Sequence, residues 1–193
     1  MNNEQKELLK SILENKEFLE EILKAASEEK KEIPELRIGD TVEIVGITWR
    51  KFKEDEDGNS YMLADEAIKI SSFGTSNDCR ESPIRKELGE LAKNIEKEIE
   101  DRLVPIEVNL LSHDGLDDYG KCQDLVSILT YDLYRNNRKN IKLIGEWWWL
   151  STPNSTPSGC GFGYVRCVND SGDVSCFRYG YDGAVRPFFI FKS

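Results

Sequence analysis

Five cysteines, one histidine and several clustered carboxylates are the side chains of this sequence with chemistry to offer. Cys79, Cys122, Cys160, Cys167 and Cys176 contain no Cys-x-x-Cys pair, and their number is odd, so we read them as reduced thiols. Cys160, Cys167 and Cys176 would give three thiolates without a fourth ligand, short of the tetrahedral set that zinc takes. A nucleophilic cysteine also needs a neighbour that lowers its pKa, and no histidine lies near these three. The single histidine, His113, precedes Asp114. We read that pair as an Asx-type turn with an exposed imidazole rather than a proton-transfer couple. Asp55-Glu56-Asp57 lacks the ligand spacing of an EF-hand loop, and Gly58-Asn59 behind it marks a solvated turn.

Charge narrows the partners. The net charge is −10, and the run from Arg135 to Lys142 is the one clearly basic patch. Binding to a phosphate backbone needs a surplus of Lys and Arg, so direct nucleic-acid binding is not expected. A basic protein partner suits this balance, including one that itself binds nucleic acid. No stretch reaches the ~18 apolar residues of a membrane span, and no apolar run follows a basic start, so no secretory signal is read. The expectation is a cytoplasmic protein of a bacterial host cell or a virion-associated one, with no cofactor.

The elements that position these residues divide in two. Residues 1–33 read as a charged amphipathic helix with Leu8, Leu9, Ile12, Leu13, Phe18, Leu19, Ile22, Leu23 and Ala26 on one stripe, ended by Pro34. Asn15 falls inside the stripe, as a register-setting polar residue does in a coiled coil. Oligomerisation, docking to a partner, and folding back on the chain's own domain all fit this helix. Residues 36–193 read as one α+β domain. Thr41 to Trp49 alternates as a strand, and Ser60 to Ala64 returns after the turn at Asp57-Gly58. Residues 71–82 read as a polar loop. Ser82 caps a helix that runs to about Asp101, with Pro83 at its first position and Ile84, Leu88, Leu91, Ile95 and Ile99 on one face. Residues 104–112 read as a short buried strand, and a short helix is expected around Cys122 to Leu133. Three tryptophans, Trp147 to Trp149, open the C-terminal part, where aromatic burial closes the core. Strands are expected over 161–168 and 174–179, with a last one from Val185 to Phe191. Alternation places Phe177 and Tyr179 on one face of their strand.

Several landmarks, in this order, carry a resemblance. They are Thr48-Trp49, the Ser82-Pro83-Ile84-Arg85 helix start with Leu88, Leu110-Leu111-Ser112, Trp149-Leu150-Ser151-Thr152-Pro153, and Ala184-Val185-Arg186-Pro187. Together they resemble a family of uncharacterised bacterial and phage domains with a Trp-Leu-Arg-Ser-Pro motif, an Asp-Gly-type hairpin and a terminal Gly-Val-Arg-Pro motif. That family looks like the C-type-lectin-like fold, in the branch of formylglycine-generating enzymes and the variable proteins of diversity-generating retroelements. The resemblance covers about residues 36–193. It departs at Ser151, where the family has Arg, and at Ala184, where it has Gly.

The resemblance implies structural roles for Trp49, Trp149, Arg186 and Pro187, which would hold the ends of a small sheet together. It implies a ligand face made of Asn154, Ser155, Tyr164, Arg166, Asn169, Asp170, Phe177, Tyr179 and Tyr181. Tyr and Asn suit such faces, giving contact area at low entropic cost. The same residues are open to a core role. Asn169-Asp170 is similar to the ligand pair of calcium-dependent lectins, but the partner loop with Glu-Pro-Asn or Gln-Pro-Asp is absent. An oxidase of the formylglycine-generating type would use two close cysteines, and the spacing of Cys160 and Cys167 differs from that pattern. The expected function is therefore non-catalytic protein recognition: a small acidic intracellular binder or inhibitor of a host complex, phage or mobile-element encoded. The alternative is a phage structural or receptor-binding protein with a cell-surface ligand.

Overall fold

The computed structural model describes residues 33–100 and 102–192. The helix expected within residues 1–33, with the roles in oligomerisation, docking or folding back, lies outside the described residues up to residue 32. The remainder is an α+β arrangement of small, mainly antiparallel sheets. In the first sheet, β1 (Thr41–Ile44), β2 (Ile47–Glu54), β3 (Ser60–Ala64), β12 (Pro187–Phe191) and β7 (Val126–Ile128) lie side by side in that order. The second runs β10 (Val174–Arg178), β9 (Tyr164–Val168), β8 (Trp148–Pro153), β11 (Asp182–Val185) and β4 (Lys69–Ser72). A ribbon joins β5 (Ile106–Asn109) to β6 (Lys121–Asp124), and the described residues add two α-helices, α1 (Pro83–Ile99) and α2 (Tyr131–Asn137), and two 3-10 turns, Cys79–Glu81 and Arg138–Asn140. Among the described residues the one parallel contact joins β8 to β11 through Trp148 and Ala184.

Helix α1 forms where its sequence signals fall. The Ser82 hydroxyl accepts from the Ile84 amide at 3.2 Å, and Pro83 gives up an amide that would have no partner in the first turn. Ile84, Leu88, Ala92, Ile95 and Ile99 are buried at steps of three and four. Ala92 takes the fully buried place on that face, while Leu91 packs half-exposed at its margin.

Four segments depart from the sequence reading. The strand expected over Thr41 to Trp49 is two strands, because Val45 (φ 49°) and Gly46 (φ 71°) make a tight turn. A β-branched residue rarely adopts positive φ, and the Val45 amide is held by the Glu98 carboxylate of α1 at 2.7 Å. The loop expected from residue 71 is strand to Ser72, since β4 pairs along β11. The helix expected around Cys122 to Leu133 is strands β6 and β7, and α2 starts only at Tyr131, capped by the Thr130 hydroxyl on the Leu133 amide at 3.1 Å. The single strand expected over Val185 to Phe191 is two strands in different sheets, β11 and β12.

Arg186 sits at that crossover, 1% exposed. Its Nε donates to the Ala64 carbonyl at the end of β3 and its Nη1 to the Lys142 carbonyl, both at 2.7 Å, while the guanidinium lies 5.4 Å above the Trp148 ring. One side chain thus ties the first sheet, the 142 loop and the second sheet. Pro187, buried next to it, opens β12 opposite Ile128. The core below is aromatic: Trp49 meets Phe189 at 4.7 Å and donates its indole N–H to the Ile44 carbonyl at 3.1 Å. Each such ring, fully buried, contributes about 2–3 kcal/mol of transfer energy.

Candidate functional site

Alternation along β8, β9 and β10 sets two faces. Trp149 lies opposite Cys167, and Phe177 opposite Val165, so these four share one face. Tyr164, Arg166, Cys176 and Arg178 share the other. On the first face an aromatic row leads from core to surface. Phe73 meets Trp149 at 5.6 Å, Trp149 meets Trp147 at 4.8 Å, Trp147 meets Phe177 at 4.6 Å, and Phe177 meets Tyr181 at 6.2 Å. Phe73 and Trp149 are fully buried; Tyr181 is 57% exposed. The Trp149 indole N–H donates to the Ser71 carbonyl at 3.0 Å and fixes the inner end of the row.

Gly183 makes room for this row. A Cβ built there would lie 2.2 Å from Cη2 and 2.3 Å from Cζ3 of Trp147, so the indole rests against glycine backbone. Beside it a groove of about 510 Å³ is lined by Ile70, Trp147, Phe177 and Ala184 together with Glu146, Asp170 and Asp182. A second concavity of about 500 Å³ opens beyond Tyr181, between residues 161–164 and 178–181. Its lip carries Phe162, 56% exposed, and the Arg178 guanidinium 5.7 Å over the Tyr164 ring. β10 pairs with β9 alone among the described residues, so its outer edge carries open backbone groups.

The candidate residues divide among four places. Asn169, Asp170 and Phe177 line the groove beside Trp147. Tyr164, Tyr179 and Tyr181 line the second concavity, and the Phe177–Tyr181 ring contact links the two groups. Asn154 and Arg166 turn the other way: Arg166 Nη1 donates to Asn154 Oδ1 at 3.2 Å, and the guanidinium lies 5.9 Å from the Tyr131 ring. Ser155, expected at the ligand face, is 0% exposed and belongs to the interior.

The reason Ser155 is buried is a residue the sequence reading passed over. Asn77, 1% exposed, donates its amide to the Ser155 carbonyl at 2.8 Å and the Tyr164 carbonyl at 3.0 Å, and accepts from the Tyr119 hydroxyl at 2.7 Å. It ties the loop from 154 to 164, and with it the mouth of the second concavity, to the body of the fold. Trp147, read from the sequence as part of the core, belongs to the groove surface as well. Its spacing of two from Trp149 is the signal that would have placed both on one strand face.

The remaining chemistry is muted. Burial and the nearby Arg166 hold the His113 imidazole below its ordinary pKa, and its ring meets Tyr131 edge-on at 5.1 Å. A hydrogen bond from the Ser112 hydroxyl keeps the Asp114 carboxyl below the usual range. Burial pushes the Cys167 thiol up to about 12 and raises Cys79 as well, so neither is a thiolate at neutral pH. Cys160 is exposed, on the loop before β9. Among the described residues no three His, Cys, Asp or Glu side chains gather as metal ligands, and no helix is long and apolar enough to cross a membrane. Compared with protein-family models and with curated proteins, the chain matches none.

Proposed function

We propose that this chain is a non-catalytic protein-recognition module on a C-type-lectin-like fold, acting as a small acidic binder or inhibitor of a host protein complex. The observation that carries the reading is the aromatic row from Trp149 through Trp147 and Phe177 to Tyr181, ending among exposed rings beside an open strand edge. Aromatic side chains at a surface give rigid, amphipathic anchors of the kind that dominate binding energy at protein interfaces. The open edge of β10 offers a partner strand main-chain hydrogen bonds in register with those anchors. Of the two close cysteines that an oxidase would need, Cys167 is buried with its thiol pushed up to about 12, which supports a binding role.

The test is capture by the immobilised full chain from separate cytosolic and envelope fractions of a bacterial host. The recognition reading expects one stoichiometric cytosolic assembly, lost with Phe162→Ala/Tyr181→Ala while the thermal midpoint is kept. Both positions are exposed, so the fold tolerates their truncation. Capture that survives this double change counts against the aromatic surface. Capture from the envelope fraction alone replaces the inhibitor with a receptor-binding protein.

A further inference from the structure

We infer that the groove over Trp147 and Phe177 receives one cationic side chain, an arginine or lysine projecting from an extended segment of a basic protein partner. This rests on the recognition reading and supplies its chemistry. Two aromatic rings line the groove, and a ring face attracts a cation through its quadrupole. Glu146, Asp170 and Asp182 stand at its margin, all exposed, and no Lys or Arg lines it. Their charge is unspent: none of the three pairs with a cation among the described residues. Exposed carboxylates elsewhere, such as Glu43, Glu56 and Asp117, are likewise without an ion pair among the described residues, so what sets these three apart is their place beside two aromatic rings. The second concavity has Arg178 in its wall and repels the same ligand. The two neighbouring hollows therefore differ in sign, which sets direction as well as affinity. Phe177 belongs to β10, so a strand added to that open edge brings alternate side chains to the groove. The net charge of −10 draws such a partner from a distance.

The test uses the isotope-labelled full chain and a short peptide of alternating valine and arginine, against the same peptide with citrulline, the neutral isostere. The Trp147 indole N–H signal is identified by its loss in Trp147→Phe. The expected result is a shift of that signal on titration, with affinity at least about tenfold lower for the citrulline peptide. Glu146→Gln/Asp182→Asn, made at two exposed positions, produces a comparable loss without lowering the thermal midpoint. Equal affinity for the two peptides overturns the inference. So do shifts confined to residues 161–164 and 179–181, or no shift at millimolar peptide. Each of those outcomes leaves protein recognition standing, since that reading is tested separately, by whether partner capture is lost with Phe162→Ala/Tyr181→Ala.

Discussion

Gly183→Ala isolates the packing that builds the groove. Gly183 has an ordinary φ, so the substitution brings no backbone strain and its whole effect is steric. The new methyl meets Trp147 at 2.2 Å and Trp149 Nε1 at 2.9 Å. The Trp147 ring must retreat by roughly 1 Å, and overpacking of that kind costs about 2 kcal/mol. For a chain of this length that lowers the thermal midpoint by about 6 °C. The source of the cost is separable. In a Trp147→Ala background the main clash is gone, so Gly183→Ala should then cost well under about 1 kcal/mol, a coupling of the size expected for side chains in contact. Thermal unfolding of the four proteins measures the cycle, and the Trp147 indole signal reports the displaced ring directly. An equal cost in both backgrounds, or no cost in the parent, would refute the claim that the indole rests on Gly183.

Four further outcomes are expected. Arg186→Ala removes two buried hydrogen bonds and the stem that fills the crossover, and should cost about 4 kcal/mol by thermal unfolding; Arg186→Met keeps the stem and sheds a cation whose burial already pushes its pKa down to about 10, so it should cost less than half as much. Asn77→Ala takes away the partner of the buried Ser155 carbonyl and of the Tyr119 hydroxyl, while the Tyr164 carbonyl keeps the Asn154 amide at 3.0 Å, and should cost about 3 kcal/mol, against about 1 kcal/mol for Tyr119→Phe. Val45→Asn places a residue tolerant of positive φ in the turn before β2 and should raise the thermal midpoint by about 3 °C. Under native conditions iodoacetamide should modify the exposed Cys160 and spare Cys167, whose thiol burial raises to about 12, as read by mass spectrometry.

Legibility in the sequence followed how local each signal was. α1 was readable because its cap, its proline and its apolar spacing sit within its own residues. The turn at Asp57-Gly58 was readable for the same reason. The turn at Val45-Gly46 was not, since valine favours strands and the compensation comes from Glu98, more than fifty residues away. Strands β6 and β7 were misread as helix because Cys122, Leu125, Val126 and Leu129 fall at helical spacing, while pairing with β5 and β12 decides the outcome. The break between β11 and β12 turns on Pro187, which lacks an amide, and on Arg186, whose partners Ala64 and Lys142 are remote in sequence. For the site, the aromatic content of residues 147–181 was visible, but its division into separate surfaces was not. That division follows from strand register, which set Phe177 and Tyr164 on opposite faces, and from Asn77, which drew Ser155 inside.

The most direct measurement of the central claim is amide hydrogen exchange on the full chain, free and bound to its captured partner. The recognition account predicts new protection along residues 174–183 and 161–164, where the β10 edge and the aromatic row lie. Protection confined to the opposite face around His113, Tyr131 and Arg166, with the β10 edge exchanging as in the free chain, would contradict it.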